Sequence, residues 1–303
     1  MIDPYNRKIT GLRVSLTQRC NLKCRYCHHE GENATSAEMS AGEVLKIVKV
    51  ANSLGIRRVK YTGGEPLLRS DLVDIIKGSV ELGLEDVAIT TNGTLLKGKV
   101  AELTNAGLRR MNVSIPSLDP SLYSTLTGGD LTRTIDGVTE AADSGIHIKI
   151  NTVLMKCVNE GEVRRFIELA SSINGSMQFI ELEKINLEES FYSNYYLDLS
   201  KLESALHRMA ERIILREDMN SRRIYIVSGT PVEVVRPTNN PEFCARCSRI
   251  RVTSDGKVKP CLMRSDNLVD LLGPMRRGAS EEELRTLFLS AVSLRSPYYS
   301  GHA

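Results

Sequence analysis

A chain of 303 residues, 41% hydrophobic and 25% charged, has an ordinary globular balance and length for one large core or two domains. A net charge of +3 is too small to argue for nucleic-acid or membrane binding, and no apolar run approaches the ~20 residues that cross a bilayer. The start, Met1 to Lys8, lacks a signal-peptide core, so the expected location is cytoplasmic, where thiols stay reduced and cysteines serve metals or catalysis.

The first β-branched run, residues 12–17, predicts a strand that leads directly into Cys20, Cys24 and Cys27. Ser40 followed by Glu43 is a capping box, and Val44, Ile47, Val48, Ala51 and Leu54 then share one helical stripe that Gly55 stops. Further strands are predicted over 57–62, 86–91, 110–115, 147–154 and 176–182, with Gly83, Gly107, Gly145 and Gly175 at the helix-to-strand hand-overs. Such alternation specifies a parallel sheet with right-handed crossovers, whose functional groups gather at the carboxyl ends of the strands. Pattern alone does not separate an open sheet from a barrel. Past residue 184 the rhythm weakens to a helix over 199–215, a strand over 224–227 and a proline-containing stretch. The chain thus divides into a core, 1–184, and a smaller C-terminal region, 185–303.

Cys20, Cys24 and Cys27 have C-x3-C-x2-C spacing, which wraps a compact loop around one cubane iron–sulfur cluster and leaves one of its four irons open. Two other readings compete. Cys24 to His28 matches the haem-attachment pattern, but that chemistry is generally extracytoplasmic and leaves Cys20 without a role. A zinc knuckle would draw on His28 or His29, although structural zinc sites usually pair two separated ligand couples. The loop resembles the signature of the radical S-adenosylmethionine superfamily, with Tyr26 as the aromatic residue before the last cysteine. Thr62-Gly63-Gly64-Glu65-Pro66 alone is a turn ended by proline; beside that resemblance it is similar to the segment that receives the methionine amino group. The resemblance implies that the open iron chelates S-adenosylmethionine, whose one-electron cleavage gives a radical that takes hydrogen from a substrate.

Cys244, Cys247 and Cys261 form a second group, C-x2-C-x13-C. Zinc is a serious rival here, but no histidine follows before His302, and three ligands favour a second cluster. Arg249 and Arg251 lie two residues apart, on one face if the segment is extended. With Arg13, Arg58, Lys60 and Lys156 near strand ends, they favour a polyanionic substrate.

From Arg13 to Cys261 the chain resembles the molybdenum-cofactor biosynthesis protein A family, the GTP 3′,8-cyclases, and its Cys27-His28-His29-Glu30-Gly31 continuation is similar to archaeal members. The resemblance implies an α/β fold, an incomplete (β/α)6 TIM-like barrel with a smaller C-terminal region carrying a second cluster. It implies two [4Fe–4S] clusters and S-adenosyl-L-methionine as cofactors, with Tyr26, Gly64 and Ser114 on the S-adenosylmethionine. Arg13, Lys60, Thr91, Lys156, Arg249 and Arg251 are implied to contact GTP. The implied partners are a low-potential electron donor, a downstream cyclic pyranopterin monophosphate synthase and a second copy in a homodimer. A radical enzyme acting on a peptide, or a non-enzymatic iron–sulfur or zinc protein, is the alternative. Two positions depart from the family: Gln178 stands where many members have arginine, and Gly301-His302-Ala303 replace a terminal pair of glycines. Cys157, outside both groups, is expected to be a packed structural thiol.

Overall fold

The computed structural model describes every residue except 34, 36, 217–219, 221, 239 and 299–303, so the departure at the C-terminus lies outside the described residues. The core is built as the alternation predicts. Strands β1 (Gly11–Ser15), β2 (Arg58–Thr62), β3 (Asp86–Thr91), β4 (Arg110–Ser114), β5 (His147–Leu154) and β6 (Ser176–Glu181) pair successively and in parallel. The crossovers carry α1 (Ala41–Ser53), α2 (Leu72–Glu81), α3 (Val100–Asn105), α4 (Pro120–Thr127), α5 (Leu131–Asp143) and α6 (Val163–Ser172). At the start of α1 the capping box closes as expected: Ser40 accepts from the Glu43 N–H, and Glu43 accepts from the Ser40 N–H. That satisfies two of the donors every helix leaves unpaired at its N-terminus.

The C-terminal half differs more from expectation. After α7 (Glu189–Tyr195), the helix expected over 199–215 stops early as α8 (Ser200–Met209), and β7 (Arg212–Arg216) follows. Ile213 and Ile214 are β-branched, and an antiparallel ladder with β8 (Arg222–Val227) claims them. Then come β9 (Thr230–Val235), α9 (Pro241–Ala245), β10 (Arg249–Val252), β11 (Lys257–Lys259), β12 (Val269–Asp270), α10 (Leu272–Arg276) and α11 (Glu281–Ser293). Two of these strands join the core sheet. β9 pairs in parallel with β6, and β10 in parallel with β1. Among the described residues the result is a partial barrel of eight parallel strands, β10-β1-β2-β3-β4-β5-β6-β9, inside a twelve-stranded sheet. Residues on both sides of position 184 therefore share one sheet.

Side chains alternate across this sheet. Leu12, Val14, Val59, Tyr61, Ile89, Met111, Ile150 and Phe179 are buried in one continuous apolar core. The intervening positions that face a cavity are mostly polar, which is where a closed barrel of this type would hold branched apolar residues. Cys157 departs from its expectation: it is exposed, with φ +57°, in the turn after β5. Among the described residues no helix is long and apolar enough to cross a membrane.

Candidate functional site

One cavity of about 760 Å³ opens inside the partial barrel, and all six grouped cysteines line it. The first loop leaves the carboxyl end of β1. Uncharged groups hold its backbone: the Lys23 and Arg25 N–H groups donate to the Thr127 and Leu126 carbonyls at 2.9 and 3.0 Å. Asn21 donates to the Thr94 hydroxyl at 2.8 Å and accepts from Asn92 at 2.9 Å. Backbone N–H groups of Leu22 and His29 point at the sulfurs of Cys20 and Cys27, each at 3.4 Å. Burial pushes the Cys24 thiol up to about 12, with the nearby Cys27 and Cys20 adding to the rise. Three crowded thiols that resist ionisation by themselves, yet have N–H donors aimed at sulfur, fit a centre that brings its own positive charge. The donor set therefore suits an iron–sulfur cluster.

The Thr62–Pro66 turn is packed against the lead-in to this loop. Gly64 donates to the Thr17 carbonyl at 2.7 Å, and Glu65 to the Arg19 carbonyl at 2.8 Å. A Cβ at Gly64 would stand 2.1 Å from the Arg19 oxygen, and one at Gly63 would stand 2.3 Å from that of Thr17. Glycine is required there by the close approach of the chain's own backbone. Glu65, fully buried, accepts from the Thr91 hydroxyl and the Asn92 N–H, both at 2.7 Å, and from the Leu67 N–H at 3.0 Å. It ties this turn to the end of β3. Burial raises its carboxyl above the ordinary value against those three donors. Tyr26, Gly64 and Ser114 all line the cavity, and Tyr26 sits beside Cys24.

The second cysteine group approaches from the other side. Arg249 and Arg251 do share a face, because the segment is a strand, β10, whose ladder sets Arg251 opposite Arg13 on β1. The two cysteine loops are joined through residues 30 and 31. The Gly31 carbonyl accepts from Lys259 Nζ at 2.6 Å and from the Ser265 hydroxyl at 3.0 Å. Glu30 lies 3.1 Å from Arg251 and 3.8 Å from Arg13. It also accepts from the Thr62 hydroxyl at 2.8 Å.

The wall between the loops is cationic. Burial holds the Arg249 guanidinium well below its usual value, and the adjacent Arg222 and Arg13 add to the effect. Burial does the same to Lys60, with Arg110, Arg13, Arg249 and Lys149 nearby. Arginines stay charged in proteins, so these shifts register crowding that a bound polyanion would relieve. Lys60 donates to Asn112 Oδ1 at 2.8 Å. Thr91 lines the cavity with its hydroxyl engaged by Glu65. Lys156 is not brought to the wall; it is exposed beyond β5, its backbone N–H donated to Tyr195. The lysine of β5 that does face the cavity is Lys149, in ion pair with the buried Glu233 of β9. Its alternation with His147 and Asn151 was the available signal. Burial pushes Lys149 down to about 8, with Glu233 resisting. Gln178 also faces the cavity, accepting from Arg222 Nη1 at 2.8 Å and donating to Asn151 at 3.0 Å. A buried arginine of β8 thus supplies positive charge beside Gln178, a long-range contact that no local pattern announces.

Comparison with known proteins is consistent along the whole chain. The profile of the Radical SAM superfamily matches residues 14–170, and that of Molybdenum Cofactor Synthesis C matches residues 176–301. A probable GTP 3′,8-cyclase of Methanothermobacter thermautotrophicus is 42% identical over 301 residues, covering 98% of each chain. One from Pyrococcus abyssi is 41% identical over 307 residues, covering 99% of this chain and 100% of that protein. Among solved structures, Streptococcus suis SuiB bound to S-adenosylmethionine aligns with a TM-score of 0.65 at 18% identity, over 93% of this chain and 67% of that one. That likeness concerns the fold.

Proposed function

The chain belongs to the radical SAM superfamily and, within it, to the GTP 3′,8-cyclases, and on that premise we propose that it converts GTP to 3′,8-cyclo-7,8-dihydro-GTP in molybdenum-cofactor biosynthesis. The observation that carries the reading is one cavity lined by both cysteine trios and by the arginines and lysines between them. Cys20, Cys24 and Cys27 hold one [4Fe–4S] cluster, and Cys244, Cys247 and Cys261 hold the other. When bound, the first cluster and S-adenosyl-L-methionine supply the one-electron chemistry that makes a hydrogen-abstracting radical.

The chain's own residues bind, orient and shield. Tyr26 packs beside Cys24, Gly64 keeps the turn against the cysteine loop, and Ser114 offers a hydroxyl at the end of β4 on the S-adenosylmethionine side. Arg13, Lys60, Arg249 and Arg251 take the triphosphate, where guanidinium forks match phosphate oxygens. Thr91 belongs to the same wall, and Lys149, which lines the cavity where Lys156 does not, serves as the β5 cation in place of the Lys156 that the family resemblance implied. The division at residue 184 separates a radical-generating core from a C-terminal region that brings the second cluster and Arg249 and Arg251, while both halves contribute to the substrate wall of the shared sheet. A low-potential electron donor, a downstream cyclic pyranopterin monophosphate synthase, a homodimer and a cytoplasmic location complete the proposal.

Anaerobic reconstitution with iron and sulfide, followed by S-adenosylmethionine, dithionite and GTP, tests it. About eight irons per chain and 5′-deoxyadenosine whose formation GTP strongly stimulates above a slow basal level are expected. About four irons with one zinc, or 5′-deoxyadenosine indifferent to GTP, would contradict it.

A further inference from the structure

The second cysteine loop is held by its carbonyls, and several of the donors come from the far ends of the chain. Asn220 donates its side chain to the Phe243 carbonyl at 2.7 Å and its backbone N–H to that of Arg246 at 3.0 Å. Thr10 and Gly11 donate to the Ser248 carbonyl at 3.0 and 3.2 Å. The carbonyls of two of the cysteines themselves go to arginines. Arg7 Nη1 donates to Cys244 at 3.0 Å, and Arg295 Nη2 donates to Cys247 at 2.9 Å.

Both arginines converge on Asp3. Arg7 Nε lies 2.6 Å from Asp3 Oδ2, and Arg295 Nη1 lies 3.4 Å from the same oxygen. Arg7 also reaches the Pro297 carbonyl at 3.1 Å and that of Ser296 at 2.7 Å, so the N-terminal segment grips the C-terminal one. All three side chains are buried, at 5% exposure for Asp3, 7% for Arg7 and 4% for Arg295. Two guanidiniums against one carboxylate leave one excess positive charge. Burying such a charge is costly unless an anion answers it. A neutral anchor would have sufficed for position alone, as Asn220 shows on the same loop. Among the described residues, Cys244 and Cys247, whose carbonyls the two arginines hold, bring their sulfurs to this charge.

We propose that Asp3, Arg7 and Arg295 form a clasp, drawn from both ends of the chain, that positions Cys244 and Cys247 and sets the charge felt by the metal centre they hold. The proposal rests on the reading of that loop as an iron–sulfur site. A fixed cation beside a cluster stabilises its reduced, more negative state and raises its reduction potential.

The clasp makes predictions of opposite sign for its members. In the reconstituted full chain, EPR-monitored titration follows the cluster signal that S-adenosylmethionine does not perturb. Arg295→Met removes a cation and shifts that midpoint to a more negative potential. Asp3→Asn removes the anion and shifts it to a more positive one, while Arg295→Lys, which keeps the charge, returns it toward the wild-type value. Arg7→Met tests positioning: iron falls from about eight toward about four per chain, while S-adenosylmethionine cleavage without GTP persists. Midpoints that stay still, or that move the same way in Arg295→Met and Asp3→Asn, with about eight irons retained in Arg7→Met, would overturn the clasp. A wild-type chain with about four irons and a zinc would instead remove the cluster reading before any variant is made.

Discussion

The two cysteine loops face one cavity but are held in different electrostatic surroundings. The first is anchored by amide and hydroxyl groups, and burial raises all three of its thiols, with Glu65 adding to the rise at Cys20. The second has arginine on its ligands' carbonyls and on its own strand; burial raises its Cys261, but its Cys247, against the same burial, is drawn the other way by Arg295. Reduction potential follows net charge, hydrogen bonds to sulfur and burial. A loop anchored by uncharged groups suits a strongly reducing centre, as an electron donor to a sulfonium must be. A loop ringed by guanidiniums suits a centre beside a polyanion. Those surroundings suit the first loop to radical generation and the second to a place beside the substrate.

Removing a thiol from each loop should separate these tasks most sharply. Cys24→Ala should abolish 5′-deoxyadenosine formation altogether. Cys247→Ala should leave its formation without GTP detectable and eliminate the cyclised product. Equal loss of both activities in the two variants would break the comparison. Next in size is Gly64→Ala, where a new Cβ would meet the Arg19 oxygen at 2.1 Å. Overpacking against backbone should cost about 3 kcal/mol, read as a lowered denaturation midpoint together with loss of first-loop iron. Second-loop iron retained in that variant would sharpen the distinction.

Glu30, which bridges the loops, gives a smaller effect with a defined pH dependence. Its buried carboxyl is held down to about 2: burial opposes ionisation, and Arg13, Arg251 and His28 outweigh it. A depressed carboxyl contributes stability that is fully present above the unfolded value and lost as pH falls through the folded one. Glu30→Gln should therefore cost on the order of 2 kcal/mol at pH 7, and its gap from wild type should narrow as pH drops from 5 toward 2. A gap that stays constant on acidification would show that Glu30 is not the charged bridge. Smallest is Lys156→Ala, expected to change GTP affinity by less than about 0.5 kcal/mol. Lys149→Ala should weaken it by about tenfold, or about 1.4 kcal/mol. The reverse order would return the substrate role to Lys156.

Much of this was legible in sequence because local chemistry carried it. β3 and β5 fall at the residues that β-branched runs predicted, and α1 begins at its capping box. The cysteine spacings located both loops, and the two-residue spacing of Arg249 and Arg251 gave their common face. What was not legible depends on distant partners. Arg249–Val252 reads as a basic loop until β1 pairs with it, and 212–216 reads as helix until β8 does. Arg222, Glu233 and Asn220 acquire roles only when strands from the second half close on the cavity. Asp3 and Arg295 lie almost a full chain apart, so nothing near either of them hints at the other.

The most direct measurement is the fate of one hydrogen. With GTP deuterated at C3′, the account predicts that deuterium appears in 5′-deoxyadenosine and that a C3′–C8 bond appears in the product. Deuterium retained at C3′ while 5′-deoxyadenosine accumulates would contradict it, because the radical would then be made at the first loop and spent elsewhere than on the nucleotide held by the second.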